Sequence, residues 1–223
     1  MFIKIHKTGL KYFIISLFFG IITYPIYDII SYFIIILTIY IYYFFRDPIR
    51  IIPEEEGILS PADGKVIFVG KSKLPDELMS DEIVNKVSIF MNIFNVHVNR
   101  IPYDGVIKDI KYIEGSFFNA SLDKSSKKNE RNIITIKNKK NEKIIFVQIA
   151  GLIARRIVCD LKINQKVNRG SKFGIIKFGS RVDIEFPNNF KLLVNEGQQC
   201  IGGETIIAQD NKSKISQREF KKI

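Results

Sequence analysis

The chain has 223 residues, with 34 Lys and Arg against 23 Asp and Glu, a net charge of +11. That length holds one good core and an appendage, and the basic balance points to a polyanion, either nucleic acid or anionic membrane. His6 and His97 are the only histidines, and Cys159 and Cys200 the only cysteines, with no CxxC spacing, so no metal site is expected and both thiols are read as buried and reduced.

From the N-terminus, residues 10–45 are almost uncharged and rich in Ile, Phe and Tyr. Two apolar stretches, Leu10 to Tyr27 and Ile29 to Phe45, surround a chain reversal expected at Pro25 and Asp28. Each falls slightly short of the ~20 residues of a spanning helix. Lys4, Lys7 and Lys11 precede the pair, and Arg46 and Arg50 follow it, which puts both ends on the cytoplasmic side by the positive-inside rule. Residues 1–50 are therefore expected as an apolar helical membrane anchor, a tight hairpin or an in-plane element through residues 10–45. A cleaved signal peptide is disfavoured, because no small-x-small site follows a single short apolar core. This distribution favours a membrane over nucleic acid as the partner of the positive charge.

Residues 51–209 read as one strand-rich domain. "GILSPADGKVIFVG" is a turn and a strand, and "KVSIFMNIFNVHVNRIPYDGVIKDIKYIEG" holds strands joined by a Pro-Tyr-Asp-Gly turn. "SLDKSSKKNERN" is a polar loop, "NIITIKNKKNEKIIFVQIAG" a hairpin with a basic tip, and "LIARRIVCDL" fits strand or helix equally. "LKINQKVNRGSKFGII" and "LLVNEGQQCIGGETII" echo each other as strand, polar turn, Gly, polar pair, strand, the repeat of barrel-sandwich domains. The fold expected is a β-rich, mainly antiparallel, barrel-sandwich-like α+β domain behind the N-terminal anchor. Residues 210–223 read as a basic flexible tail.

Three short motifs carry candidate chemistry. Ser60-Pro61-Ala62-Asp63-Gly64 is by itself a turn sequence. His97 in Asn95-Val96-His97-Val98-Asn99-Arg100 alternates with valines, as an ordinary strand residue does. Gly179-Ser180, after Phe178, interrupts the strand pattern of "KFGIIKFGSRVDIEF", where Gly marks a bend or a close backbone approach. The second half of that stretch alternates apolar and charged residues, the period of a half-buried strand. Taken together the motifs supply an Asp, a His and a Ser. A hydroxyl is a weak nucleophile until a neighbouring base takes its proton, and an imidazole needs a partner to fix its tautomer.

These motifs resemble the signatures of the phosphatidylserine decarboxylase proenzymes. "FFNASLDKSSKKNERN" and "IAGLIARRIVC" extend the similarity to the short bacterial and archaeal-type subclass, over roughly Phe45 to Ala208. The resemblance implies that the chain cuts itself between Gly179 and Ser180, and that Ser180 becomes a covalent pyruvoyl cofactor. His97, held by Asp63, would take the Ser180 proton. Residues 1–179 and 180–223 would remain together as β and α chains of a heterodimer, with higher oligomers left open. The substrate would be phosphatidylserine and the product phosphatidylethanolamine, at the cytoplasmic face of the cell membrane. Longer family members carry Leu-Gly-Ser-Thr at the cut and a second His where this chain has Phe94. Two rivals remain at this stage. One is a non-enzymatic membrane-anchored barrel-sandwich adaptor. The other, a serine hydrolase with the same three residues, lacks the glycines of a nucleophile elbow, since Phe178 and Val182 stand in their places.

Overall fold

The computed structural model describes residues 4–121, 128–152, 156–177, 179–211 and 220–222. Strand β1 (Lys4–Ile5) leads into helix α1 (Lys7–Thr23), whose start is set by His6, its Nδ1 accepting the Thr8 N–H at 3.3 Å. His6 is thus absorbed by a helix cap. Helix α2 (Asp28–Phe44) returns antiparallel to α1, with the Ser16 and Thr38 hydroxyls 2.8 Å apart between the helices. The close approach needs Gly9, because a Cβ there would lie 2.2 Å from the Phe45 ring.

The N-terminal segment corrects the expected fold. It is helical and apolar, but each helix has 17 residues, a rise of about 25 Å at 1.5 Å per residue, short of the ~30 Å hydrocarbon core. The reversal at Thr23–Tyr27 divides the apolar run. No helix among the described residues is long and apolar enough to cross a membrane, so the expected N-terminal apolar helical membrane anchor is not supported.

Beyond the hairpin the chain is β-rich. β2 (Arg46–Asp47), β3 (Ile51–Pro53) and β4 (Ile58–Leu59) are short; β5 (Gly64–Lys73) and β6 (Ile83–Met91) form a long hairpin. After β7 (Val98–Arg100) come β8 (Gly105–Ile113), β9 (Arg131–Lys137) and β10 (Lys143–Ile149). Then follow β11 (Ile157–Cys159), β12 (Lys166–Val167), β13 (Lys172–Ile176) and β14 (Ser180–Phe186). The last are β15 (Phe190–Leu192), β16 (Gln199–Cys200), β17 (Ile206–Asp210) and β18 (Phe220–Lys222). An eight-stranded antiparallel sheet runs β12-β8-β9-β10-β14-β6-β5-β16. Bulges in β5 between Val66 and Phe68 and in β8 between Ile107 and Asp109 bend it, curling the sheet. Two three-stranded sheets, β11-β13-β7 and β15-β17-β4, cover the concave face. The core between them holds Val87, Ile89, Ile134, Ile136, Phe146, Phe173, Val182, Ile184 and Phe186. At the C-terminus, in the tail expected to be flexible, β18 pairs with β3, while residues 212–219 lie outside the described residues.

The two echoing segments occupy matching places. The first supplies β12 at one edge of the large sheet and β13 at the centre of one small sheet; the second supplies β16 at the other edge and β17 at the centre of the other. Asn164 and Gly197 have φ of 65° and 88°, and Gly170 and Gly203 have 77° and 81°. Gly170 N–H donates to Ile101 O and Gly203 N–H to Ser60 O, each at 2.8 Å. Each acceptor precedes a Pro-x-Asp-Gly turn, Pro61 to Gly64 in one half and Pro102 to Gly105 in the other. The strand-turn unit is therefore built twice about a pseudo-twofold relation.

β14 departs from its expected half-buried state, since all seven residues are buried. Ser180, Val182, Ile184 and Phe186 face the core, and Arg181, Asp183 and Glu185 face the other way. The charged face is self-paired: Lys86 Nζ lies 2.9 Å from Asp183 and 3.3 Å from Glu185, and Arg181 bonds Asp183 and Ser88. Burial works against the Lys86 ammonium, but Asp183 and Glu185 outweigh it and hold its pKa above the usual value. Burial lifts Glu185 to about 7. Breaking such a group strands a buried charge. Lys86→Met is expected to lower the urea unfolding free energy by about 3 kcal/mol, and Glu185→Gln in that background should restore part of it.

Candidate active site

The junction of β13 and β14 holds the interrupted motif. Phe178 lies outside the described residues. Gly179 has φ +53°, the left-handed region that side-chain-bearing residues avoid. Its carbonyl is pressed against Gly151, where an added Cβ would sit 1.8 Å from Gly179 O. Ser180 opens β14 opposite Met91 of β6 and is fully buried. Its hydroxyl makes a weak hydrogen bond to Met91 Sδ at 3.9 Å. The Gly-Ser interruption therefore marks a bend at a half-buried glycine, its carbonyl packed against Gly151 and the next hydroxyl buried.

His97 is delivered by a tight turn. Asn92 Oδ1 accepts the Phe94 N–H at 2.8 Å, and Asn95 Oδ1 accepts the Asn92 N–H at 2.9 Å. The hairpin braces this turn: Arg46 Nη2 and the Tyr43 hydroxyl both donate to Phe94 O, at 2.7 and 3.1 Å. The imidazole is 0 % exposed and lies 4.3 Å from the Phe44 ring. Its Nδ1 is 3.0 Å from Asn95 O. A carbonyl only accepts, so Nδ1 carries the proton and Nε2 the lone pair. Nε2 is buried with no hydrogen-bond partner among the described residues. Burial drives the His97 pKa down to about 4, opposed by the Asn95 carbonyl and assisted by the Arg46 charge. The ring is thus a neutral base with a free lone pair. The His97 carbonyl accepts the Ile176 N–H at 3.4 Å, which sets it beside the strand that leads to Gly179 and Ser180.

Asp63 is not brought to His97. Arg50 Nη2 donates to both of its carboxylate oxygens, at 2.9 and 2.8 Å, and the Gly202 N–H donates to Oδ1 at 2.8 Å. Burial raises its pKa, with Arg50 and the Gly202 N–H opposing. The pseudo-twofold explains the placement. Asp104, in the second Pro-x-Asp-Gly, accepts the Arg169 N–H at 2.7 Å, the matching bond in the other half. Asp63 braces a turn, and the Asn95 carbonyl does the tautomer-fixing expected of it.

Two groups beside Ser180 carried no role in the sequence reading. Gly151 walls the Gly179 carbonyl, although "IAGLIARRIVC" drew notice only as a resemblance. Asn99, Gln148 and Asn132 form a buried polar file toward Met91. Their signal was available: Gln148 in "IIFVQIAG" and Asn132 in "RNIITIK" are amides at inward positions of otherwise apolar strands. No group of three or more potential metal ligands occurs among the described residues.

A left-handed Gly179 followed by a buried Ser180, with a neutral imidazole whose Nε2 has no partner among the described residues on the neighbouring strand, suits a proenzyme that matures at its own backbone. The comparisons make the class specific. The family model described as phosphatidylserine decarboxylase matches residues 37–208. A relative from Rickettsia akari (strain Hartford), named phosphatidylserine decarboxylase proenzyme, is 51 % identical over 84 % of this chain and 82 % of its own length. A relative of the same name from Pelagibacter ubique (strain HTCC1062) is 47 % identical over 94 % of this chain and 98 % of its own. The chain belongs to the phosphatidylserine decarboxylase family.

Proposed function

We propose that the protein is a self-processing, pyruvoyl-dependent enzyme that converts phosphatidylserine to phosphatidylethanolamine and carbon dioxide in phospholipid biosynthesis. The observation that carries this reading is the junction of a left-handed Gly179 with a buried Ser180, in a chain of this family. Membership in that family, whose relatives are named as enzymes, leaves the adaptor alternative without support.

Maturation begins when Ser180 Oγ bonds to the Gly179 carbonyl carbon and the bond from that carbon to the Ser180 nitrogen breaks, leaving an ester. His97 Nε2 takes the hydroxyl proton and returns it to the departing nitrogen. Loss of the Ser180 α-proton then breaks the ester C–O bond, giving a carboxylate on Gly179 and a dehydroalanine at 180. Water converts that to a ketone and releases ammonia. The residues present fit the resulting group. His97 supplies a ring nitrogen without a partner among the described residues, Met91 touches the Ser180 hydroxyl, and two sheets hold the two sides of the cut: β13 pairs with β7 in one, and β14 with β6 and β10 in the other. The pyruvoyl ketone supplies the electron sink for decarboxylation.

The products are residues 1–179 and 180–223, which stay together as a heterodimer. The activity is peripheral, at the cytoplasmic face of the cell membrane: the substrate is a bilayer lipid, and a net charge of +11 favours anionic lipid. Intact-mass measurement of purified protein tests the reading. Two chains are expected, the smaller beginning with a borohydride-reducible ketone, while Ser180→Ala stays full-length and inactive. An active, uncut chain with an ordinary Ser180 rules it out.

A further inference from the structure

The Gly179 carbonyl rests on Gly151, and Gly151 lies where its own strand has run out of ladder. β10 pairs with β9 and β14 as far as Ile149, so Ala150 and Gly151 stand past the last rung. Both polar groups of Ala150 are nevertheless held, and by consecutive residues. Its N–H donates to Glu130 O at 2.9 Å, and its carbonyl accepts from Asn129 Nδ2 at 2.7 Å. In the second bond a side chain stands in for a strand neighbour. Asn129 is 0 % exposed, and interior amides are costly unless paired. Its second Nδ2 hydrogen goes to Phe118 O at 2.7 Å, and its Oδ1 accepts the Phe118 N–H at 2.9 Å. Only one orientation of the carboxamide allows this; turned over, it would set its oxygen against two carbonyls. The side chain thus ties the segment around Phe118 to the end of β10. Ala120, from that segment, closes on Gly151, its Cβ 3.3 Å from where a Gly151 Cβ would lie.

We propose that Asn129 is a positioning residue for self-cutting: by holding the Ala150 carbonyl it fixes the 150–151 peptide against which the Gly179 carbonyl is set for attack. This rests on the reading above, in which Ser180 Oγ bonds to the Gly179 carbonyl carbon. The chain of cause is short. A peptide is planar, so the direction of the Ala150 carbonyl fixes where Gly151 Cα lies. A Cβ on that atom would fall 1.8 Å from Gly179 O, so the scissile carbonyl is seated directly on it. Attack loses rate steeply when the carbon moves by about 1 Å. A strand end held only by its own backbone could not keep that tolerance, and a carboxamide bonded to two segments does. Glu130 steadies the approach from the other side: its Oε1 accepts the Ile157 N–H at 3.2 Å, on β11, which pairs with β13, the strand entering the junction.

Two measurements test this: self-cutting followed by intact mass, and the state of the Gly179 carbonyl in full chains that cannot cut. Asn129→Asp keeps the acceptor for the Phe118 N–H and loses both donors; Asn129→Leu, of similar size, loses all three bonds. Each, shown folded by circular dichroism, is expected to cut about a hundredfold more slowly than wild type. In Ser180→Ala the peptide after Gly179 becomes the one Gly-Ala pair in the sequence. Carbonyl-¹³C glycine with ¹⁵N alanine then gives a single amide cross-peak that reports the Gly179 carbonyl. That peak is expected to move when either Asn129 variant is added to Ser180→Ala, although no hydrogen bond joins residues 129 and 179 among the described residues. A contribution to stability alone would leave the peak in place in a folded chain. Wild-type cutting rates in a folded variant overturn the proposal, and so does an unmoved peak. An uncut wild-type chain refutes instead the reading of Ser180 as the nucleophile, whatever the peak does.

Discussion

Gly151→Ala is expected to remain a single full-length chain under conditions in which the wild type is fully cut. The Cβ it adds would fall 1.8 Å from Gly179 O and 2.9 Å from Gly179 C, far inside any real contact, so the carbonyl must give way by more than 1 Å. Attack by Ser180 Oγ depends on where that carbon lies, and displacement of about 1 Å costs on the order of a hundredfold in rate. Gly151 does not have a left-handed φ, so alanine brings no backbone strain of its own and the effect is purely steric. Gly179→Ala makes the contrast. Its Cβ would meet nothing within 4 Å, but φ is +53°, so it carries a conformational cost of about 1–2 kcal/mol. It should cut roughly tenfold more slowly and still finish. Intact mass over time separates the two, with circular dichroism confirming folded protein. A folded Gly151→Ala chain that cuts at the wild-type rate would show that the Gly151 contact does not position the scissile carbonyl.

How much of this was legible in the sequence depends on the scale of the interaction. Strands with a clear period were: "KFGII" and "SRVDIEF" became β13 and β14, and the gap between them became the Gly179 reversal. The echo of two turns was also legible, since positive-φ positions select Asn and Gly at fixed spacing. What failed needed three dimensions. The alternation in β14 predicts a half-buried strand, yet its charged face is buried too, because Lys86, opposite Glu185 on the neighbouring strand β6, pairs with Asp183 and Glu185. Asp63 and His97 were joined because catalytic groups so often pair, yet the duplicated Pro-x-Asp-Gly shows what Asp63 does by showing what Asp104 does. The apolar stretches of residues 10–45 gave helices, but the reversal cuts both short. Gly151 was unreadable because its neighbour, Gly179, lies 28 positions along the chain.

His97→Ala should slow self-cutting by about 10²–10⁴-fold, the usual worth of a positioned general base. His97→Gln is the companion, retaining a planar polar side chain against Phe44 without a basic nitrogen, and it should be as slow. Normal cutting in either, if folded, removes His97 from maturation. The wild-type pH profile gives a second, independent reading. Only the neutral ring can accept the Ser180 proton, and burial holds His97 at about 4, against an unperturbed value of 6.5. The cutting rate should therefore stay level from pH 8 to about pH 5 and halve near pH 4; a fall centred near pH 6.5 would mean an exposed imidazole. Stability follows the same linkage. Between pH 6.5 and about 4 the unfolded chain binds a proton at His97 that the folded one refuses, so folding weakens as pH falls, by about 1.4 kcal/mol per unit at most and about 3 kcal/mol across the window. Comparing urea midpoints of Ser180→Ala with those of Ser180→Ala/His97→Gln isolates that slope in uncut chains, where cleavage cannot confuse the reading. If the two lose stability in parallel through this window, the imidazole is not held neutral by the fold, and the base must be sought elsewhere.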